Sequence, residues 1–258
     1  MFPIEQLYRY PVKGFSAEPL TRVVVHAGQA FPLDRKFAIT NGSWTFDAEG
    51  YAPRPKTDFL TLLQYEELAE YRAAYDEEEN ILTLAAPDNR LYKFALDDHE
   101  DCHQLSVLIS TRLGSKLNGT PVIVEAQDIR FTDVSVVSTS MMNAVSLINL
   151  TSMNALEAVM NTQLDPLRFR ANIYFRSQTA WEELSWVGQE IMIGQVRARV
   201  VLKTRRCAAT NVNPETAKRD AAIPQTLIKT FRHGDLGVYA ELMDGGVIVA
   251  GDHLSLTS

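Results

Sequence analysis

The cysteine Cys207 stands in a sequence context that could make it reactive. It directly follows the strand-like segment 200–206, which contains Lys203, Arg205 and Arg206. Neighbouring cations favour the thiolate form of a cysteine, and the thiolate is the form that binds soft metals or attacks electrophiles. If the segment is a β-strand, alternation puts Lys203, Arg205 and Cys207 on one face. The sequence therefore predicts a thiolate on a positively charged surface.

An inert, buried role is the main alternative for Cys207. Free cysteines are among the residues most often buried, and they usually pack as small hydrophobic groups. A charge is rarely buried without a partner, so cations seldom flank an inert core position. The flanking residues therefore favour a functional role. One such role is that of the nucleophile of a transferase, with His233 as its general base.

Two further segments contain residues that could take part in chemistry. His233 precedes Gly234 and Asp235, and a histidine beside an acid can shuttle protons, although this pattern more often forms a turn. Cys102 and His103 are adjacent, but two ligands do not complete a zinc site. We therefore treat His233 as a candidate catalytic residue and Cys102 with His103 as the start of a helix.

The composition is typical of a globular protein that does not bind nucleic acid. The chain has 258 residues, of which 46% are hydrophobic and 22% charged, and its formal net charge is −7. Nucleic-acid binding would require a basic surface to neutralise phosphates. The two cysteines lie far apart in the sequence, so they form neither a zinc motif nor the ligand set of an iron–sulfur cluster. Electrons for any redox reaction would therefore come from outside the chain.

The sequence predicts neither a membrane helix nor a signal peptide. The N-terminus has no uninterrupted apolar stretch after a basic start. No segment approaches the roughly 18 apolar residues that would span a membrane. Because free thiols suit a reducing compartment, we expect a cytoplasmic protein without membrane contact.

Short β-rich segments dominate the first third of the chain. Strands are predicted over residues 4–10, 22–25, 37–40, 81–84 and 91–95. Turn residues such as Gly28 and the pair Asn41-Gly42 separate them, as in antiparallel sheets. The acidic stretch 76–79 is interpreted as a solvated turn between two strands. A small β-rich unit is therefore expected here.

Helical periodicity appears twice in the middle of the chain. It predicts a first helix over residues 103–117, at whose end the chain is expected to change domains, and a second helix over 151–160 with Thr151 or Ser152 as its N-cap. Further strands are predicted over 121–125, 172–175, 190–193, 196–203, 237–242 and 247–249. Glycines at the breaks suggest a closed or strongly curved sheet. We predict a mainly β protein with some helix, in the α+β class, with domains 1–118 and 119–258.

Several separated motifs resemble one known family. The C-terminal half contains Phe169-Arg-Ala-Asn-Ile, Trp181-Glu-Glu-Leu, Arg206-Cys207, Asn213-Pro-Glu-Thr and Val249-Ala-Gly-Asp. Together they look like a MOSC domain, the C-terminal domain of molybdenum cofactor sulfurases. The N-terminal runs Tyr8-Arg-Tyr-Pro-Val-Lys-Gly and Leu33-Asp-Arg-Lys-Phe-Ala-Ile resemble the β-barrel domain that precedes MOSC in longer members. The motifs occur in order over nearly the whole chain, which makes the resemblance specific.

The resemblance implies a molybdenum enzyme. This pair of domains is found in the mitochondrial amidoxime-reducing components and their bacterial relatives, which reduce N-hydroxylated compounds. It implies a molybdenum–molybdopterin cofactor with Cys207 as the protein ligand to the metal, and a thiolate is a soft ligand suited to that role. An external flavoprotein, ferredoxin or cytochrome would supply electrons to a small N-hydroxylated substrate. The alternative is a carrier that transfers the cofactor, or sulfur as a Cys207 persulfide, to another enzyme.

The same resemblance implies a set of cofactor-binding residues. Arg170 and Asn172 would contact the pterin, while Lys13 and Arg35 would clamp its phosphate, for which arginine and lysine are suited. Without the resemblance, Lys13 and Arg35 would be interpreted as surface charges beside turns. Relatives carry a more hydroxyl-rich segment where this chain has Asn143, whose amide could still donate a hydrogen bond. The remaining members of the predicted set are Arg205 and Arg206, and Arg205 would make the pocket more positive than in relatives with a small polar residue there.

Overall fold

β-Strands outnumber helices in the computed structural model, which describes residues 1–49 and 51–257. The first eight strands are β1 (Phe2–Arg9), β2 (Glu18–Leu20), β3 (Arg22–Val25), β4 (Phe37–Ile39), β5 (Arg72–Asp76), β6 (Ile81–Ala85), β7 (Leu91–Ala95) and β8 (Ile123–Glu125). The later strands are β9 (Val145–Asn149), β10 (Ile173–Phe175), β11 (Glu190–Ile193), β12 (Val196–Arg205), β13 (Asp235–Leu242), β14 (Gly246–Val249) and β15 (His253–Leu256). The predicted mainly β, α+β fold is confirmed.

Helices connect and flank these strands. The α-helices are α1 (His99–Leu113), α2 (Thr139–Met142), α3 (Leu150–Met160) and α4 (Ile223–Thr226), which continues into a π-helical turn, Leu227–Phe231. Short 3₁₀ helices cover Lys56–Asp58, Glu66–Glu70, Gly114–Lys116, Pro166–Phe169, Glu182–Ser185 and Ala208–Asn211. Among the residues that the structure describes, no helix has the length and apolarity required to cross a membrane.

Seven strands close into a barrel within the described part of the chain. Their order is β10-β9-β13-β12-β11-β15-β1, the pairing of β1 with β10 closes the ring, and β2 extends from β1. Strands β9 and β10 run parallel, and α3 between them supplies the crossover that a parallel pair requires. The barrel core contains fully buried aliphatic side chains such as Ile191, Val200 and Val238.

The first strand of the chain belongs to this barrel. Besides β10, β1 pairs with β15 and β2, while β3 pairs with β14 and β4 with β8. The backbone amide of Tyr8 also donates to the carbonyl of Asn172 at 2.8 Å. Segments 1–118 and 119–258 therefore share sheets, and the domain boundary between them stays a prediction.

A second core lies between a three-stranded antiparallel sheet and α1. The sheet has the order β5-β6-β7, and buried side chains that include Tyr75, Leu84, Leu105 and Ile109 join it to α1. The turn between β5 and β6 contains the acidic stretch, as predicted. Asp76 stabilises that turn because its carboxylate accepts hydrogen bonds from two following backbone amides, at 3.0 and 3.2 Å.

The helix α1 begins four residues before the predicted position, 103. Its N-cap is Asp98, whose carboxylate accepts hydrogen bonds from the backbone amides of Glu100 and Asp101 at 2.8 and 3.0 Å. Such a cap satisfies amides that have no partner inside the helix. Hydrophobic periodicity misses this first turn because its residues are polar.

The predicted N-cap of α3 is wrong. Asn149, the last residue of β9, caps the helix in place of Thr151 or Ser152. The Thr151 hydroxyl donates to the carbonyl of Ser177 at 2.7 Å, and the Ser152 hydroxyl donates to Glu183 at 2.9 Å. Both candidates are therefore engaged in contacts with the 177–183 segment.

The strands that the sequence analysis missed lack clear flanking signals. Strand β9 runs directly into α3 without a glycine or proline, so its apolar residues cannot be separated from the helix by periodicity. Strand β5 has two alanines in five residues, and alanine is depleted in strands. Strands β2 and β15 are only three and four residues long, and β2 lies at the edge of the sheet, whereas β15 lies between β11 and β1. The strands that were predicted are all present, with ends shifted by a few residues.

A buried glutamate joins β9, α3 and the segment that precedes β11. Glu183 is fully buried, and its Oε2 accepts hydrogen bonds from Asn149 Nδ2 and Ser152 Oγ, each at 2.9 Å. Among the described residues, Oε1 has no hydrogen-bond partner. Burial raises the pKa of Glu183 although both donors act to lower it. The ionised carboxylate is therefore less favourable in the folded chain than in the unfolded chain.

We expect this glutamate to make the fold less stable as the pH rises. Because the folded-state pKa is raised, the stabilising contribution is complete below the unfolded pKa and is lost as the pH rises through the folded pKa. Glu183→Gln should remove this dependence. In wild type, the free energy of unfolding should fall over this pH range by about 1.4 kcal/mol for each unit by which the pKa of Glu183 is raised. Urea unfolding at a series of pH values measures this free energy. Parallel plots of the free energy of unfolding against pH for the two proteins would contradict the prediction.

Candidate functional site

A cavity of about 290 Å³ opens between segments from both halves of the chain, and Cys207 lies in its wall. Its cationic lining residues are Lys13, Arg35, Lys56, Arg168, Arg170, Lys203, Arg205 and Arg206. Within the described residues, Asp34 and Asp133 are the carboxylates of the lining. The cavity is therefore strongly positive, although the formal net charge of the whole chain is −7.

Cys207 lies where β12 ends and a 3₁₀ helix begins. Its carbonyl accepts hydrogen bonds from the amide of Thr210 at 3.1 Å and from the Thr210 hydroxyl at 2.9 Å, and these contacts fix the turn. Its Sγ lies 3.4 Å from Nζ of Lys56, which comes from the other half of the chain. Cys207 is partly exposed. A ligand can therefore reach a sulfur atom that lies beside the ammonium group of Lys56.

The end of β12 does not keep a simple strand alternation. Lys203, Arg205 and Cys207 all line the cavity, as the alternation predicts, but Thr204 and Arg206 line it as well. The register of β12 against β13 shifts between Lys203 and Arg205. Such an irregularity bends a strand and redirects its side chains. Consecutive residues therefore reach one cavity, which a regular strand does not allow.

Asp133 bridges two lysines of the cavity. Its Oδ1 accepts a hydrogen bond from Lys13 Nζ at 2.6 Å, and its Oδ2 lies 3.2 Å from Lys56 Nζ. Burial acts to raise the pKa of Asp133, but the two lysines hold it well below its usual range. Burial lowers the pKa of Lys13, and Asp133 offsets part of that effect. Asp133 is therefore ionised at neutral pH and fixes both ammonium groups.

Lys56 and Asp133 are not among the site residues predicted from the sequence. They lie in the segments Pro55-Lys56-Thr57 and Thr132-Asp133-Val134, which match no motif and are distant from Cys207 in the sequence. A lone lysine or aspartate in a loop is ordinarily a solvated charge. Only the folded chain brings them together, so we find no sequence signal that would have revealed them.

The guanidinium groups of Arg35 and Arg170 pack against the ring of Tyr10. Their Cζ atoms lie 4.3 and 4.4 Å from the ring centroid. Arg35 also donates to both carboxylate oxygens of Asp34 at 2.6 Å and to the carbonyl of Arg170 at 2.7 Å. Tyr10 is fully buried, and burial raises its pKa well above the usual value. The ring is therefore a neutral phenol whose π-face offsets part of the positive charge.

Arg170 has less compensation than Arg35. Among the described residues, no carboxylate lies within ion-pair distance of Arg170, whose guanidinium donates to the carbonyl of Phe15. Burial, followed by repulsion from Arg35, lowers the pKa of Arg170 to about 10. Both arginines have left-handed backbones, with φ of 48° and 52°, a conformation that costs energy for any residue with a Cβ. An anion bound beside Arg170 would relieve the electrostatic part of this penalty.

Asn172 and Arg206 line the cavity, but their polar atoms hold the surrounding backbone. Asn172 Oδ1 accepts from the amide and hydroxyl of Ser146 at 3.0 and 2.9 Å. Arg206 Nε and Nη1 donate to the carbonyls of Leu236 and Phe169 at 2.8 and 3.0 Å. Both side chains thus position the cavity wall. Their predicted direct contact with a cofactor stays a prediction.

Three buried polar atoms in the cavity lining have no hydrogen-bond partner in the described part of the chain. They are Thr61 Oγ1, Thr204 Oγ1 and Arg168 Nε. The other guanidinium nitrogens of Arg168 donate to the Asn211 carbonyl at 3.0 Å and to Asp220 at 2.6 Å. Buried polar groups are normally hydrogen-bonded, and an exception requires an explanation. A polar ligand in the cavity would supply one.

His233 and Asn143 lie outside the cavity lining. The His233 ring packs against Trp181, with centroids 5.0 Å apart, and its Nδ1 accepts from the amide of Asp235 at 3.3 Å. The second contact is that of a turn. Asn143 Nδ2 donates to the carbonyl of Gly28 at 2.9 Å, so this amide joins two loops. The structure brings the other predicted site residues together and leaves these two apart.

Comparison with known families accounts for nearly the whole chain. The family model for the MOSC domain matches residues 128–255, and that for the MOSC N-terminal beta barrel domain matches residues 1–121. The chain belongs to the MOSC family. Residues 122–127 separate the two matched regions.

Curated relatives of this MOSC protein include mitochondrial amidoxime reducing components. The component 2 protein of Rattus norvegicus is 27% identical over 135 residues, covering 52% of this chain and 37% of the relative. The component 2 protein of Homo sapiens is 33% identical over 73 residues, covering 28% of this chain and 21% of the relative. The matches therefore span well under half the length of these relatives.

The solved structures that match this chain are less similar to it in sequence. The YuaD protein of Bacillus subtilis is 13% identical with a TM-score of 0.47, and the alignment covers 98% of this chain and 93% of that one. YiiM of Geobacillus stearothermophilus is 18% identical with a TM-score of 0.36, and the alignment covers 44% of this chain and 54% of that one.

We expect the cavity of this MOSC protein to bind phosphate-like anions through Arg170. Arg170→Met should weaken the binding of pyrophosphate to the cofactor-free protein by about tenfold or more, because charge-assisted hydrogen bonds contribute roughly 1.5–3 kcal/mol each. Titration calorimetry measures the affinity. Arg176→Met, which removes an exposed arginine paired with Glu5, is the matched control. Equal affinities in all three proteins would show that Arg170 does not bind the anion.

Proposed function

We propose that this MOSC protein is a molybdenum-cofactor-dependent oxidoreductase that reduces N-hydroxylated compounds with electrons from an external donor. The observation that supports it most is the position of Cys207, a reachable thiol beside Lys56 in the wall of a cationic cavity. The reaction would be R–NHOH + 2 H⁺ + 2 e⁻ → R–NH₂ + H₂O. The similarity to amidoxime reducing components agrees with this reaction class.

The donor atoms of the cavity fit such a cofactor. A phosphate group matches Lys13, Arg35 and Arg170, whose mutual repulsion an anion would relieve. Thr61 Oγ1 and Arg168 Nε have no hydrogen-bond partner among the described residues. A pterin carries both donors and acceptors that could pair with them. A thiolate suits a soft metal such as molybdenum. When bound, the metal would supply oxygen-atom and two-electron chemistry that no amino-acid side chain provides.

We assign distinct roles to the residues around this group. Cys207 would be the metal ligand, and Lys13, Arg35 and Arg170 would hold the phosphate. Asp133 would position Lys13 and Lys56 without giving up a proton, since its pKa lies well below neutral pH. Asn172, Arg205 and Arg206 would shape the cavity wall, as the contacts of Asn172 and Arg206 indicate.

The external donor and the cellular location belong to the same proposal. Cys102 and Cys207 are free thiols and form no electron-storing cluster, so a flavoprotein, ferredoxin or cytochrome would deliver the electrons. Free thiols persist in reducing compartments, which supports the expected cytoplasmic location.

Cys207→Ser should abolish both molybdenum binding and reductase activity. The substitution is nearly isosteric, but the hydroxyl is a hard and largely protonated ligand. Elemental mass spectrometry of protein made in a cofactor-producing host gives the metal content, and reduction of an aryl amidoxime gives the activity. Cys102→Ser, in α1, is the matched control and should keep both. Full metal content in Cys207→Ser would refute the ligand assignment.

The sulfur-carrier alternative gives a different result in the same preparations. A carrier would show a persulfide on Cys207 by intact-mass analysis and would transfer it without reducing any amidoxime. A nucleophilic transferase would leave Cys207 open to iodoacetamide in the metal-loaded protein. Protection of Cys207 by the bound metal, together with amidoxime reduction, would support the reductase.

His233→Gln should keep amidoxime reduction within about twofold of wild type, because substitutions away from the chemistry have small effects. A general acid ordinarily contributes about a hundredfold or more. The pH profile of kcat gives a second criterion, since loss of a general acid would remove one limb of the profile. A loss of a hundredfold or more with a changed profile would restore the predicted catalytic role of His233.

A further inference from the structure

A cationic surface adjoins the cavity and extends beyond its lining. We call it the basic patch, and its residues are Leu202, Lys203, Arg205, Ile228, Lys229 and Arg232, all of them exposed. The first three also line the cavity. A Cβ built on Gly234 would lie 3.7 Å from side-chain atoms of both Arg205 and Ile228. The helical segment Leu227–Phe231 therefore lies beside the end of β12, and the two form one continuous surface.

The cations of the basic patch are not neutralised. Within residues 1–49 and 51–257, the side chains of Lys203, Arg205, Lys229 and Arg232 make no ion pair. Asp235 is the cross-strand neighbour of Arg205. Its single negative charge is smaller than the combined positive charge of the four cations. Exposed arginines in other regions do form ion pairs, as Arg112 does with Glu70 and Arg197 with Asp244. Four exposed cations without an ion pair therefore lie together beside the cavity, while elsewhere in the described chain the exposed cations that lack one are Arg22, Arg72, Lys93 and Lys218.

Two apolar side chains lie among these charges. Leu202 is 38% exposed and Ile228 is 52% exposed. This apolar area is small compared with the interface of a permanent complex, which buries about 2,000 Å² or more and is more hydrophobic. A few apolar groups within a ring of charge are suited to a short-lived complex that is guided electrostatically.

We propose that the basic patch is the docking surface for an acidic one-electron carrier protein. This inference rests on the proposed reductase function, in which two electrons per substrate must come from outside the chain. A one-electron carrier must dock, transfer and leave twice in each turnover, so the complex has to be transient. The patch includes residues of the cavity wall, which keeps the electron path to the cavity short. Its positive charge selects an acidic partner, although the chain as a whole is acidic.

Charge reversal outside the cavity tests the docking without altering the cofactor site. Lys229→Glu with Arg232→Glu changes the net charge by four units, and neither residue lines the cavity. The holoprotein is mixed with a reduced acidic flavodoxin in a stopped-flow instrument at low ionic strength. We expect the second-order rate constant for flavodoxin oxidation to fall by about tenfold or more. The rate constant of the variant should also change less with salt concentration than that of wild type.

The double variant Arg22→Glu with Lys93→Glu is the matched control. It makes the same change in net charge on β3 and β7, which do not line the cavity. Its rate constant should fall far less than that of the patch variant. An equal fall in both variants would show a non-specific effect of net charge and would overturn the docking surface. An unchanged rate constant in the patch variant would overturn it as well.

Two further measurements separate failure of the docking surface from failure of the proposed function. Amidoxime reduction driven by reduced methyl viologen, a small cationic donor, should be equal in wild type and in the patch variant, because it bypasses docking. If wild type shows no such reduction, the proposed function fails. Zero-length carbodiimide cross-linking with flavodoxin, followed by peptide mass spectrometry, should link flavodoxin carboxylates to Lys229 or Lys203. Cross-links confined to other lysines would overturn the docking surface and leave the reductase function untouched.

Discussion

The repulsion among closely spaced, largely desolvated cations is the constraint on which the rest of this structure depends. Lys13, Arg35 and Arg170 line one small cavity, and each loses hydration that a surface cation keeps. The chain compensates with Asp34, Asp133 and the face of Tyr10. This compensation is incomplete, as the lowered pKa values of Lys13 and Arg170 show. The rest of the fold therefore holds these cations in positions where an anion would be favoured.

The barrel explains how these cations are held together. Pairing of β1 with β10 brings the segment after β1, with Tyr10 and Lys13, next to the segment before β10, with Arg170. The backbone amide of Arg35 donates to the carbonyl of Tyr10 at 2.7 Å, which fixes a second loop on the same side. Two left-handed arginine backbones are tolerated because contacts on several sides determine them. The site therefore depends on strand closure as much as on its own side chains.

Sequence reasoning succeeded where local patterns determine structure. The strand β12, the periodicity of α3 and the turn at Asp76 are all set by neighbouring residues, and each is present, although the alternation breaks at the end of β12. It failed at the cap of α3, because the hydroxyls of Thr151 and Ser152 bond to a segment distant in sequence. For the same reason, no local pattern could reveal Lys56 and Asp133. Their importance comes from long-range contacts.

The distribution of charge follows from two different requirements. Inside the cavity, an ionised Asp133 must limit repulsion between Lys13 and Lys56, or the fold would be destabilised. On the basic patch, water screens each cation, so the charges can remain unpaired at little expense in stability. Unpaired surface charge contributes little to folding but acts over about a Debye length in solution. Although the net charge of the chain is negative, the cavity and the basic patch place positive charges side by side, and their attraction would orient an acidic partner before contact.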